Sequence, residues 1–139
     1  MKAVIINKFG DLDGSIVKMN IDIPKPGIQE VLIKVKAAGV NRPDILQRKG
    51  LYKVPDGASP IMGLEVAGEI VEIGKDVSEK KLGESVCALV PGGGYAEYVV
   101  TNEAHCLPVP KGLSMNESAG LCECLFTVWI NMIKLGQLK

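Results

Sequence analysis

The chain has a single histidine, His105, and its four cysteines, Cys87, Cys106, Cys122 and Cys124, form no C-x-x-C pair. A structural zinc lobe needs four clustered cysteines, and that pattern is missing. Net charge is also missing, because 16 basic residues cancel 16 acidic ones. With no basic stripe, the electrostatic footprint of a nucleic-acid binder is absent. No secretion signal is visible: the opening apolar run Ala3-Val4-Ile5-Ile6 stops at Asn7 and Lys8. Reduced thiols and a cytoplasmic location are the resulting expectation. The most apolar window, Ala119 to Ile133, holds about 15 residues against the ~20 that span a bilayer. It also contains Glu123 and Asn131, so it reads as a buried helix and no membrane partner is expected.

The 139 residues suit one domain, and a chain near this size buries roughly 68–70% of its unfolded surface. Sixteen glycines and eight prolines, without low complexity, point to many turns and short strands. Residues 2–7 read as a short strand. Over residues 16–23, Val17, Met19, Ile21 and Ile23 alternate with Lys18, Asn20 and Asp22, the period of a half-buried strand. Residues 30–40 repeat the pattern, with Val31, Ile33, Val35 and Ala37 facing away from Lys34 and Lys36. Residues 64–73, 84–90 and 95–101 read as further strands.

Two stretches break this rhythm. Asn41 to Gly50 has helix grammar: Asn41 can cap, Pro43 sits in the first turn, basic residues fill the last and Gly50 stops it. Ser114 and Glu117 have the spacing of a capping box. A second helix is expected from about Glu123 to Leu135, closed by Gly136. Its apolar residues wrap most of the circumference, so it wants partners on several sides. Cys122 and Cys124, two apart, point to different sides of a helix. The fold class expected is mainly β with a few helices (α+β), Greek-key or barrel-like.

Three segments resemble a known family. Ala37-Ala38-Gly39-Val40-Asn41-Arg42-Pro43-Asp44 resembles the segment carrying the first catalytic zinc ligand of zinc alcohol dehydrogenases, with Asn41 at the ligand position. Gly63-Leu64-Glu65-Val66-Ala67-Gly68, then Gly74 and Val77, resembles their signature G-H-E-x-x-G-x(5)-G-x-x-V, with Leu64 replacing the ligand histidine. Leu82-Gly83-Glu84-Ser85-Val86 resembles the G-D-R-V turn, and Gly94-Tyr95-Ala96-Glu97-Tyr98 matches G-x-(F/Y)-A-E-Y. The pattern is similar to the zinc-free quinone oxidoreductases, the zeta-crystallin-like branch of the medium-chain dehydrogenase/reductase family. Asn41-Arg42-Pro43-Asp44-Ile45-Leu46-Gln47-Arg48, Leu51-Tyr52 and Pro91-Gly92-Gly93-Gly94 make the resemblance nearest to the stress-inducible NADPH quinone oxidoreductases.

This resemblance implies a GroES-like catalytic domain over 1–122, a Greek-key partial barrel. Residues 123–139 then form a helix leading into a Rossmann nucleotide-binding domain that the chain lacks. No dinucleotide fingerprint occurs here. It also implies NADPH as cofactor, held mainly by that domain and not by this chain alone. The substrate is a small quinone or electrophilic carbonyl, the full-length enzyme is a homodimer, and the isolated chain is inactive. In relatives, the residues matching Asn41, Tyr52 and Thr127 lie near nicotinamide and substrate. Asn41 and Tyr52 are therefore the candidate catalytic residues, and Asn41, Tyr52 and Thr127 the candidate cofactor-binding ones.

Plainer roles stay open beside these. Asn41 can be only a helix cap, Tyr52 a loop aromatic, and Thr127 a partner for a carbonyl one turn back. Gly92-Gly93-Gly94 reads as a tight turn rather than a phosphate cradle. His105 reads as a surface or satisfied loop histidine. A catalytic zinc needs about three Cys, His or carboxylate ligands, and Asn41, Leu64 and a lone Glu65 do not supply them, so no metal is expected. Without that Lewis acid, hydride transfer to an electron-poor quinone is easier than alcohol oxidation. Two departures from relatives bear on the pocket: Cys122 where a proline usually precedes the glutamate matching Glu123, and Leu46 where some bacterial relatives carry tyrosine. A stand-alone GroES-like binding or co-chaperone module is the competing function.

Overall fold

A computed structural model describes residues 1–138. Among these residues, seven strands make two antiparallel sheets. The smaller pairs β1 (Ala3–Ile6) with β2 (Ser15–Lys18). The larger has five strands in the order β6-β3-β4-β5-β7, with β3 at Glu30–Ala38, β4 at Glu65–Ile73, β5 at Ser85–Leu89, β6 at Tyr98–Asn102 and β7 at Cys106–Pro108.

The two nine-residue strands β3 and β4 form the middle of this sheet, which explains their composition. Val31 and Ile33 of β3 and Val66 and Ile70 of β4 are fully buried and meet Val86, Ala88, Val90, Val99 and Cys106 in one cluster. Each such aliphatic side chain contributes roughly 1.5–3 kcal/mol of burial. The opposite face holds a smaller cluster of Ala67, Cys87, Ala119 and Cys122. Cys87 sits between Val86 and Ala88 in β5, so the alternation of that strand sends it to this second face. A strand covered on both sides reads as a nearly continuous apolar run, as β5 does.

The half-buried strand expected over 16–23 is shorter. Pairing stops at Lys18, because β1 offers only four residues and Asn20 takes a left-handed φ of 58°. Val17, Met19 and Ile23 are exposed. Beyond the break, the chain is tied down by Ile21 N–H donating to the Met1 carbonyl at 3.0 Å. The strand expected at 95–101 begins only at Tyr98. Before it, Val4 N–H donates to Tyr95 O and Glu97 N–H to Lys2 O, which sews the small sheet to the large one.

Helix α1 runs Arg42–Arg48 with Pro43 in its first turn, and Gly50 leaves it at φ +73°. Helix α2 (Met115–Ser118) carries the expected capping box: Glu117 N–H donates to Ser114 Oγ, and Ser114 N–H to the Glu117 carboxylate. Helix α3 runs Cys122–Val128, with Cys122 buried and Cys124 exposed. The single α-helix expected to Leu135 changes character at Trp129. Residues Trp129–Leu135 are wound as a π-helix, ending where Gly136 N–H donates to Asn131 O. Leu125, Val128, Trp129, Ile130, Met132 and Ile133 are exposed. Among the described residues, no helix is long and apolar enough to cross a membrane.

Candidate active site

Two buried carboxylates organise the region where β3 hands over to α1. Asp44, in the first turn of α1, is 3% exposed. Its Oδ2 accepts from Asn41 N–H at 2.8 Å and from the Tyr95 hydroxyl at 2.9 Å, and its Oδ1 accepts from Gly63 N–H at 3.1 Å. Acids in a first helical turn also complement the helix dipole. Burial, and then the bond to Asp44, push the Tyr95 phenol above its ordinary ionisation range. Gly63 itself has φ +99°, and a Cβ there would strike the Tyr95 ring and backbone, so glycine is required.

Glu65, the first residue of β4, is 2% exposed. One carboxylate oxygen accepts from Asn41 Nδ2 at 2.8 Å, and the other from Glu123 N–H at 3.0 Å. The start of α1 and the start of α3 are thereby held to the same strand. Room for this carboxylate exists because residue 39 has no side chain: a Cβ on Gly39 would overlap the Glu65 carboxyl. Gly39 N–H also donates to Glu65 O at 3.1 Å.

Beside this anchor lies an open cleft of about 360 Å³. It is lined by Tyr52, Pro55 and Leu64, by Leu89, Val90 and Pro91, and, from the C-terminal helices, by Glu123, Phe126, Thr127, Ile130 and Asn131. Of the three residues singled out in the sequence, Tyr52 and Thr127 meet here. Tyr52 is half-buried and Thr127 exposed. Asn41 does not line this cleft. It stands at the N-cap of α1, as the helix grammar suggests, but its side-chain amide is directed to Glu65. Thr127 O accepts from Asn131 Nδ2 at 2.8 Å, and among the described residues no hydrogen bond of the Thr127 or Tyr52 hydroxyl to protein occurs.

The donor set does not fit a catalytic zinc. Leu64 cannot ligate, Asn41 Nδ2 and both Glu65 oxygens are engaged with one another or with Glu123, and among the described residues no three His, Cys, Asp or Glu side chains cluster. The cleft's lining is mainly apolar, a surface against which a flat ring can pack. The phosphates of a dinucleotide find no cradle in the glycine turn. Gly93 N–H donates to Ile61 O, Gly94 N–H to Gly63 O and Tyr95 N–H to Met62 O, so these amides are already used. His105 is exposed, 3.4 Å from the Thr101 hydroxyl.

Sequence reasoning missed the Asp44 and Glu65 anchors as site-builders. In the sequence Glu65 reads only as a lone metal ligand; the one local signal for its role is the glycine at 39, which leaves room for its carboxyl.

Comparison with known proteins adds the family. Residues 27–111, more than half of the chain, match the model of the alcohol dehydrogenase GroES-like domain. The chain is 30% identical over 140 residues to a synaptic vesicle membrane protein VAT-1 homolog of Danio rerio, covering 99% of this chain and 28% of that protein. It is 34% identical over 131 residues to a chloroplastic NADPH-dependent alkenal/one oxidoreductase of Arabidopsis thaliana, covering 87% of this chain and 34% of the relative. A solved quinone oxidoreductase of Pseudomonas syringae pv. Tomato DC3000 superposes with a TM-score of 0.86 at 28% identity, over 99% of this chain and 42% of that one. The chain thus spans less than half the length of each of these proteins.

Proposed function

Because the chain belongs to the alcohol dehydrogenase GroES-like domain family, the catalytic-domain portion of the medium-chain dehydrogenase/reductase fold, we propose that it forms the substrate-side wall of a zinc-independent, NADPH-dependent oxidoreductase. The substrate class is a quinone or an electrophilic enone. The observation that carries this reading is the mainly apolar cleft that Tyr52 and Thr127, distant in sequence, line together. Residues 1–122 form the catalytic domain in this reading, and the helix from Glu123 onward leads to the nucleotide-binding part, with turnover requiring both.

When bound, the nicotinamide supplies the hydride. The chain's own residues supply the rest. The Tyr52 hydroxyl donates a hydrogen bond to the quinone oxygen on which negative charge grows, an interaction stronger in the transition state than before it. The Thr127 hydroxyl orients the ring carrying the hydride. Leu64, Leu89, Val90 and Phe126 exclude water from the reacting faces. Asn41 acts one step back. Through Glu65 it fixes the start of α3, and with it the placement of Thr127, so it is a positioning residue.

The test is a chimera that joins this chain to the nucleotide-binding half of the Pseudomonas quinone oxidoreductase. Tyr52→Phe should lower quinone kcat/KM about tenfold or more, the worth of one hydrogen bond of ~1–2 kcal/mol. Asn41→Ala should lower it comparably, and Asn41→Asp should not rescue it, because two carboxylates would face each other. Wild-type rates in both Tyr52→Phe and Asn41→Ala would remove these roles.

A further inference from the structure

The four cysteines do not share one environment. Cys124 is exposed. Cys106 belongs to the cluster of Val31, Ile33 and Val66, where its thiol reaches Asn102 O at 3.8 Å and burial pushes its ionisation up to about 12. Cys87 and Cys122 lie on the opposite face of the sheet, each 1% exposed, in one cluster with Ala67 and Ala119. They come from different elements, β5 and the first turn of α3, and are close enough for the Cys122 thiol to hydrogen-bond the Cys87 sulfur. A zinc ion finds no third ligand there. Among the described residues no three His, Cys, Asp or Glu side chains gather, and the nearby Glu65 oxygens are taken by Asn41 and Glu123. Two facing thiols without a metal have a different chemistry open to them, oxidation to a disulfide.

We propose that Cys87 and Cys122 form a peroxide-sensitive dithiol that closes into a disulfide and braces α3 against β5. The hydrogen bond from Cys122 holds the Cys87 thiol below its ordinary ionisation range, so Cys87 is the attacking sulfur. It takes one oxygen of hydrogen peroxide: an S–O bond forms, the O–O bond breaks, and the departing hydroxide takes up the proton that Cys87 released. The Cys122 sulfur then displaces the hydroxyl of the resulting sulfenic acid. The S–S bond forms, the S–O bond breaks, and the Cys122 proton leaves with the hydroxyl as water. Two thiols have lost two electrons and two protons, and one peroxide has become two waters. Of the seven residues of α3 only Cys122 is buried, so brief opening of this short helix admits a molecule as small as peroxide. The bridge closes at the residue before Glu123, whose N–H donates to Glu65, and within two turns of Phe126 and Thr127 in the cleft lining. It therefore fixes covalently the same helix start that Glu65 holds by a hydrogen bond, whatever the cleft binds.

The test uses the full chain with Cys124→Ser, so that no exposed thiol can join two molecules. It is treated with hydrogen peroxide and mapped by mass spectrometry without reduction. The expected product has lost two hydrogen atoms, yields a cross-linked peptide joining Cys87 to Cys122, and regains its original mass with dithiothreitol. The oxidised chain should unfold at a urea midpoint about 1 M or more above the reduced one, since the bridge restricts the unfolded chain. Exchange of Glu123 N–H should slow about tenfold or more. With Cys122→Ala the second sulfur is gone, so Cys87 should stop at a sulfenic acid that dimedone traps. A peptide map in which Cys87 pairs with Cys106, or in which Cys87 and Cys122 stay reduced while methionines take up oxygen, overturns the proposal, and this readout does not depend on the Cys122→Ala chain folding. A bridged chain with a lowered midpoint overturns it as well, because the native fold would then not bring the two sulfurs together.

Discussion

Replacing Glu65 by alanine removes the acceptor of two hydrogen bonds at once and leaves both donors without a partner. Asn41 Nδ2 at 2.8 Å and Glu123 N–H at 3.0 Å each donate to one oxygen of a carboxylate that is 2% exposed. Hydrogen bonds to a charged group are worth about 1.5–3 kcal/mol each, and an orphaned buried donor costs its own desolvation. Asn41 is only half-buried and can recover water, so its share belongs at the low end. The sum expected for Glu65→Ala is ~3–5 kcal/mol, a large part of the ~5–15 kcal/mol that holds a typical domain folded. In urea unfolding followed by circular dichroism, an m-value of about 2 kcal/mol/M turns this into a midpoint lowered by roughly 1.5–2.5 M. Glu65→Gln keeps one acceptor and faces an amide against the other donor, so it should cost less, ~1–3 kcal/mol. The double variant with Asn41→Ala should be less destabilised than the sum of the singles by about 1 kcal/mol. A Glu65→Ala chain within ~0.5 kcal/mol of wild type would refute the idea that this carboxylate ties α1 and α3 to the sheet.

Three further expectations follow from the same region. Tyr95→Phe should cost ~1–2 kcal/mol at about pH 8, because it removes the hydroxyl bond to Asp44. The folded phenol ionises above its ordinary value near 10, so its stabilisation is complete below that pH and is lost as pH rises beyond it. Urea midpoints of wild type and Tyr95→Phe should therefore keep their full gap up to about pH 10 and draw together only above it, and a gap that begins to close well below about pH 9 would contradict this. Gly39→Ala places a methyl on the Glu65 carboxyl and should cost about 1–3 kcal/mol, with faster hydrogen exchange at Glu123 N–H, while unchanged exchange would count against the contact. The exposed Leu125, Val128, Trp129, Ile130 and Ile133 should make the chain associate with rising concentration in light scattering, and Trp129→Lys with Ile133→Lys should abolish this; a wild-type chain monomeric at millimolar concentration would speak against it.

Much of the fold was legible because burial and alternation agree. β3 and β4 lie at the centre of the large sheet, so Val31, Ile33, Val66 and Ile70 had to be apolar and their period showed. The same alternation misled at residues 16–23, where Val17, Met19 and Ile23 face solvent: a strand needs a partner, and β1 is too short to supply one past Lys18. The caps at Ser114 and Gly50 were readable since their chemistry is local. The Glu65 anchor was not, because its donors come from Asn41 and Glu123, far apart in sequence, and a motif comparison directs the eye to the metal ligand at position 64 instead. The π-helical winding after Trp129 has no signature in an apolar run that would suit an α-helix equally well.

The central claim is that ring and hydride donor meet between Tyr52 and Thr127. It is tested most directly by intermolecular nuclear Overhauser effects in the chimera, saturated with NADP⁺ and duroquinone. The account predicts cross-peaks from the quinone methyls to the Tyr52 ring and the Leu64 methyls, and from the nicotinamide to the Thr127 methyl. Cross-peaks confined to the Gly92–Gly94 turn or to the outer face of Val128 and Met132, with none to Tyr52 or Thr127, would contradict it.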